Sequence, residues 1–132
     1  GSFDSEELHI KFQELLAPMY AVTHDPNTKS KRKGKYSFEA LNEGFGGFLR
    51  TYDVTSDIQH LTVPALIIGA QHDWITPVKH SYWMAKLIPN NEFVVLENSS
   101  HSVFKDEGDR TRDILIDFLK RRIIDKEMGE TS

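Results

Sequence analysis

The stretch Val63-Pro64-Ala65-Leu66-Ile67-Ile68-Gly69-Ala70-Gln71-His72-Asp73-Trp74-Ile75-Thr76-Pro77 decides the fold class. Ala65 to Ile68 are four consecutive apolar residues between Pro64 and Gly69. Such a run suits a parallel strand buried on both faces. Thr76-Pro77 then opens a helix, proline being preorganised for the first helical position and threonine for the cap before it. That helix runs to about Ile88, with Val78, Tyr82, Met84 and Ala85 available for packing, until Pro89-Asn90-Asn91 breaks it. Phe93-Val94-Val95-Leu96 is a second apolar run, followed by the loop Asn98-Ser99-Ser100-His101-Ser102. A last helix is expected near Thr111 to Ile124, with Leu115, Phe118, Leu119 and Ile123 as its buried stripe. Strand, helix, strand, helix predicts an α/β fold with two parallel strands and flanking helices. Two strands are too few for a parallel sheet standing alone. The missing strands are therefore expected in sequence outside these residues, or from a second copy of the chain.

Towards the N-terminus the pattern becomes helical. Leu8, Phe12, Leu15, Leu16 and Met19 recur at helical spacing from Ser5 to about Tyr20, with Ser5 placed to cap and Glu6 and Glu7 suited to the positive end of the dipole. Asp25 to Lys35 reads as a loop, where Lys29, Lys31, Arg32, Lys33 and Lys35 crowd together. A short charge run without interleaved aromatics is a solvated loop rather than a nucleic-acid patch. A second helical piece after Ser37 carries Leu41, Phe45, Phe48 and Leu49, and is weakened by Gly44, Gly46 and Gly47. A short turn is expected from Asp57 to Leu61, and the polar tail after Asp125 should fray.

Whole-chain properties exclude several classes. Of the 132 residues, 39% are hydrophobic and 27% charged, the balance of a globular domain and not of a disordered one. A net charge of −4 creates no field that would recruit nucleic acid or an anionic membrane. No apolar run approaches the roughly 20 residues of a membrane helix. The absence of cysteine favours a cytoplasmic location. Gly1-Ser2, with Met19 the first methionine, reads as the scar of a cleaved tag, so the chain is expected to be a piece of a longer protein.

The chemistry is expected on two loops, because open α/β sheets carry their working residues at the C-terminal ends of strands. Asp73 follows the first strand and His101 the second. A carboxylate there can fix the tautomer of an imidazole that takes a nucleophile's proton, the base half of a catalytic triad. Singly, Asp73 would be a turn residue and His101 a loop histidine; together, at the ends of consecutive strands, they point to the pair. His72 reads as structural. His9, His24, His60 and His80 lack metal-ligand spacing, and no cofactor motif is present, so neither cofactor nor metal is expected.

Val63-Pro64-Ala65-Leu66-Ile67-Ile68-Gly69, His72-Asp73 and Pro77 resemble the acid loop of the α/β-hydrolase superfamily, and Ser99-Ser100-His101 resembles its histidine loop, which usually reads Ser-Gly-His. The order, acid before histidine, is also the superfamily's. Tyr52-Asp53-Val54 with His72-Asp73-Trp74-Ile75-Thr76-Pro77 looks most like proline iminopeptidases and related capped hydrolases. The resemblance implies that residues 1–52 belong to a helical cap and 53–132 to the C-terminal part of the hydrolase core. It implies Asp73 as triad acid, His101 as general base and Trp74 near the substrate pocket, as an apolar wall or a contact with the cap. One departure stands out: the superfamily's nucleophile lies in Gly-x-Ser-x-Gly, and no such segment occurs, since Gly44, Gly46 and Gly47 enclose only Phe45. Ser99, Ser100 and Ser102 lie on the histidine's own loop. The expectation is therefore a serine hydrolase whose nucleophile lies elsewhere, with this chain inactive alone and small esters, amides or peptides as substrates. Its partner would be the missing N-terminal half or a second copy, with neither nucleic acid nor membrane involved. The rival is a non-catalytic hydrolase fragment that self-associates by domain swapping, because two unpaired strands leave edges that demand cover.

Overall fold

The computed structural model describes residues 5–28 and 37–124, and the side chains up to residue 122. The basic cluster at Lys29 to Lys35, residues 1–2, which were read as a tag scar, and the tail after Asp125 lie outside the described residues, as does the side chain of Ile123.

Helix α1 spans Glu6–Tyr20 and α2 spans Phe38–Gly46, each capped by a serine: the Ser5 and Ser37 hydroxyls accept from the Leu8 and Ala40 N–H groups. A 3₁₀ turn at Phe48–Arg50 follows α2. It begins after Gly47, where an added Cβ would collide with the Glu43 carbonyl oxygen. The short helix α3, Thr55–Ile58, leads into the turn expected from Asp57 to Leu61, with Asp53 Oδ1 accepting from the Thr55 N–H at 2.8 Å. Then come strand β1 (Ala65–Ala70), helix α4 (Val78–Leu87), strand β2 (Asn91–Leu96), the one-turn helix α5 (Val103–Asp106) and helix α6 (Gly108–Leu119), which runs into a π-helical turn at Lys120–Ile124.

β1 and β2 pair in parallel, Ala65 opposite Asn91 through Ala70 opposite Leu96. The right-handed βαβ crossover rule places α4 on one face of this pair. α4 comes so close at Gly69 that a Cβ there would stand 3.0 Å from Ser81 Cβ and 3.1 Å from a Val78 methyl, so only glycine fits without displacement. The buried apolar side chains among the described residues are Ala21 after α1, Ile67 and Ala70 on β1, Ile88 after α4, Leu96 at the end of β2 and Phe118 on α6.

Three expectations need correction. Thr76 does not cap α4: Pro77 holds the cap position without a side-chain bond, because the Thr76 N–H and hydroxyl are both committed to Asp73. Leu119 is exposed, although it was expected in the buried stripe of the last helix. At about 100° per residue, Thr111 and Phe118 share one direction and Leu119 falls about 80° to its side. The apolar spacing of α1 is helical as expected, yet the residue it buries is His9, while Leu15 remains 75% exposed.

Candidate active site

The two loops expected to carry chemistry leave the sheet side by side. Beyond Ala70 the strand pairing persists: the Gln71 N–H donates to the Leu96 carbonyl (2.9 Å) and the His72 N–H to that of Ser99 (3.0 Å). These bonds bring Asp73 under the histidine loop. Its carboxylate is filled by four donors. Oδ1 accepts from the N–H groups of Ile75 and Thr76, both at 2.8 Å, and Oδ2 accepts from the Thr76 hydroxyl at 2.8 Å and from His101 Nδ1 at 3.0 Å. The Asp73 side chain is 8% exposed against 37% for His101. Burial pushes the Asp73 carboxyl up, but the Thr76, His101 and Ile75 donors together outweigh it and hold the group below its ordinary value. It is an anion at neutral pH.

The histidine loop is held from below and from the side. Ser99 and Ser100 are buried. Glu107 accepts from the Ser99 hydroxyl (2.7 Å) and the Asn98 N–H (3.0 Å), and Arg110 lies 3.0 Å from its other oxygen. The Ser99 hydroxyl chiefly, with Arg110 and the Asn98 N–H, holds Glu107 below the usual carboxylate value against the opposing effect of burial. The Ser100 hydroxyl reaches two carbonyls, Met19 at 2.7 Å and His72 at 3.1 Å, so it ties the exit of α1 to the acid loop. The Ser102 N–H donates to the Tyr20 carbonyl at 2.6 Å, and the Tyr20 ring meets the His101 ring edge-on at 5.3 Å.

An ionised carboxylate only accepts, so the His101 nitrogen that faces Asp73 carries the proton. In the neutral ring the other nitrogen, Nε2, then has a free lone pair and is the basic end. Trp74 is 74% exposed and lines an open cavity of about 470 Å³ with Pro18, Met19, Val22, His72 and Ser100. His72 serves the loop through its backbone, donating to Ser99 and accepting from Ser100. The hydroxyls of Ser99 and Ser100 are engaged with Glu107 and with carbonyls. Among the described residues no backbone φ is positive. Among them, too, no group of three or more His, Cys, Asp or Glu side chains is placed to hold a metal ion, and no helix is long and apolar enough to cross a membrane.

The structure brings the expected Asp73 and His101 within 3.0 Å of each other and sets Trp74 on the cavity beside them, while sequence reasoning missed the residues that hold their loops: Thr76, Tyr20, Asp106 and Glu107. An acidic pair shortly after a histidine is too common a pattern to be a signal, and its partners include backbone groups as distant in sequence as Val22.

The model of the α/β-hydrolase fold family matches residues 2–108. The chain belongs to that family. Among curated α/β hydrolases it is 29% identical over 111 residues to proline iminopeptidase PfmaB of Pestalotiopsis fici, covering 83% of this chain and 40% of that protein. It is 34% identical over 115 residues to the proline iminopeptidase of Chitinophaga pinensis, covering 87% of this chain and 33% of that one. The chain thus spans two-fifths or less of the length of these relatives. Among solved structures, an esterase from Exiguobacterium antarcticum superposes with a TM-score of 0.71 at 18% identity, covering 89% of this chain and 45% of that one. An α/β-fold family hydrolase from Bacillus anthracis superposes with a TM-score of 0.69 at 25% identity, covering 86% and 42%. This α/β-hydrolase chain is thus most like proline iminopeptidases in sequence and shares its fold with esterases.

Proposed function

We propose that this chain supplies the acid and the base of a serine-hydrolase triad, with Asp73 as the acid and His101 as the general base. The observation that carries the reading is the 3.0 Å contact between His101 Nδ1 and an Asp73 carboxylate whose other three bonds fix its direction. Nε2 would take the proton of a serine hydroxyl as it attacks an acyl carbon and would later deliver it to the leaving group. Asp73 keeps the ring in the useful tautomer and stabilises the imidazolium formed in between. The serine and the oxyanion donors would come from residues outside this chain. Residues 1–52 would belong to a helical cap, and Trp74 would wall the side of the pocket that faces it. The relatives named proline iminopeptidase favour small esters, amides or N-terminal residues of peptides as substrates, with removal of an N-terminal proline as the first choice.

Acid and base without a nucleophile give no useful turnover, so the chain alone is expected to be inactive. Hydrolysis of p-nitrophenyl acetate and of proline-β-naphthylamide, with His101→Ala as control, tests this. Turnover no greater than the control's is the expected result. Turnover abolished by His101→Ala would mean that a serine within these residues reaches the histidine.

The exposed side chains of Leu15, Phe45, Phe48 and Tyr52 favour a second reading, a non-catalytic fragment that self-associates to cover them. Elution as a clean monomer in dilute gel filtration would count against it.

A further inference from the structure

One carboxylate outside the Asp73–His101 pair has every acceptor position engaged across two segments of chain. Asp106, the last residue of α5, accepts at Oδ2 from the N–H groups of Val22 (3.0 Å) and Ser100 (2.9 Å). Its Oδ1 accepts from the N–H (2.9 Å) and the hydroxyl (2.6 Å) of Thr23. Val22 and Thr23 are the exit of α1; Ser100 is the residue before His101. On the other side of the histidine, the Ser102 N–H is bonded to the Tyr20 carbonyl. Both neighbours of His101 are thus fastened to residues 19–23, and the Tyr20 ring lies against the imidazole itself.

Without the Asp106 carboxylate, four donors lose their acceptor together. The Ser100 residue is 3% exposed, so its N–H cannot turn to water unless the histidine loop moves. Burial alone would raise the Asp106 carboxyl, but the Ser100, Thr23 and Val22 donors overcome it and keep the group anionic at neutral pH. Met19 and Val22 also line the cavity beside Trp74, so the segment that faces a bound molecule is the one that holds the histidine.

We propose that Asp106 is a positioning residue that couples the exit of α1 to the histidine loop, so that the His101 imidazole meets Asp73 only while residues 19–23 are docked. This rests on the reading of Asp73 and His101 as the acid–base pair.

The test reads the His101 ring nitrogens in the ¹⁵N-labelled chain by long-range ¹H–¹⁵N NMR, with far-UV circular dichroism as the check on folding. The wild-type chain should show a protonated Nδ1 and a bare Nε2, and Asp73→Asn should remove that pattern. Asp106→Asn should remove it as well, leaving two interconverting tautomers in a chain with wild-type helicity. Thr23→Val deletes one of the four donors and should speed exchange of the Nδ1 proton by about tenfold, the scale of one bond to a charged acceptor. Thr23→Ser should restore the wild-type rate. A wild-type tautomer in folded Asp106→Asn overturns the proposal. If Asp106→Asn does not fold, an unchanged exchange rate in Thr23→Val overturns it instead. A signal lost in Asp73→Asn but kept in Asp106→Asn removes this inference alone, whereas a wild-type ring indifferent to Asp73→Asn removes the acid–base reading with it.

Discussion

The two loops at the end of the sheet and the helices that precede it are built on opposite terms. In the loops, buried polar groups such as Ser99 and Ser100 find partners within the chain, and the carboxylates of Asp73, Asp106 and Glu107 each gather several donors. Along α1 and α2 the balance is reversed: the caps are satisfied, but Leu8, Leu15 and Phe45 stand in water. A hydrogen-bonded loop can be complete within the chain because its partners are local, fixed by the β1–β2 register, or supplied by residues 19–23 at the exit of α1. An apolar helix face cannot, since burial needs a second surface. The polar loops around Asp73 and His101 are therefore satisfied within this chain, the exit of α1 included, whereas the exposed apolar faces of α1 and α2 need a second surface.

The sharpest way to break this contrast is to make the same change in both regions. Leu96→Ala, at a side chain with no exposure, should cost about 3 kcal/mol in urea unfolding, the range for a leucine removed from a packed core. Leu15→Ala, at 75% exposure, should change stability by no more than about 0.5 kcal/mol. A large loss at Leu15 would mean that the helix face is covered in solution, and gel filtration would then show an associated species.

Glu107→Ala should cost about 2 kcal/mol, because it leaves the buried Ser99 hydroxyl and the Asn98 N–H without their acceptor. A neutral result would mean that the histidine loop is held by its other contacts alone. Acid should act on the loops selectively. The carboxyls of Asp73 and Asp106 lie below their ordinary value of 3.8 when folded, so their contribution is whole above that pH and is lost as the pH falls through the lower folded values. The wild-type chain should lose stability below about pH 4, and Asp73→Asn should flatten that dependence. The smallest effect is expected at the far end of β2, where Arg121 bridges Glu92 and Asp117 in the open. Arg121→Ala should shift the urea midpoint less than any of the other substitutions, and less again in high salt.

Much of the fold could be read from single residues. Pro64 preceded β1, which continues one residue past the expected end at Gly69, Pro89 followed α4, and Asp73 and His101 lie on the loops after the two strands as expected. β2 proved longer than its apolar run because Glu92 lies within bonding distance of Arg121 and Arg122, which makes a polar residue acceptable in the strand. Thr76 was misread because a threonine before proline has two uses, and the nearby carboxylate of Asp73 took both its donors. Leu119 was misread because a stripe of apolar letters does not fix the direction of its centre. The Asp106 clamp was illegible, since three of its four donors are backbone N–H groups, which leave no mark in a sequence, and Val22 and Thr23 lie more than 80 residues away.

Asp73 and His101 meet through contacts made within this chain. The His101 ring tautomer at neutral pH, compared between the wild-type chain and Asp73→Asn, tests it most directly. A proton held on Nδ1 in the wild type and released to both nitrogens in Asp73→Asn is the predicted result. A His101 ring that carries its proton on Nε2, or that is the same in both proteins, would contradict it.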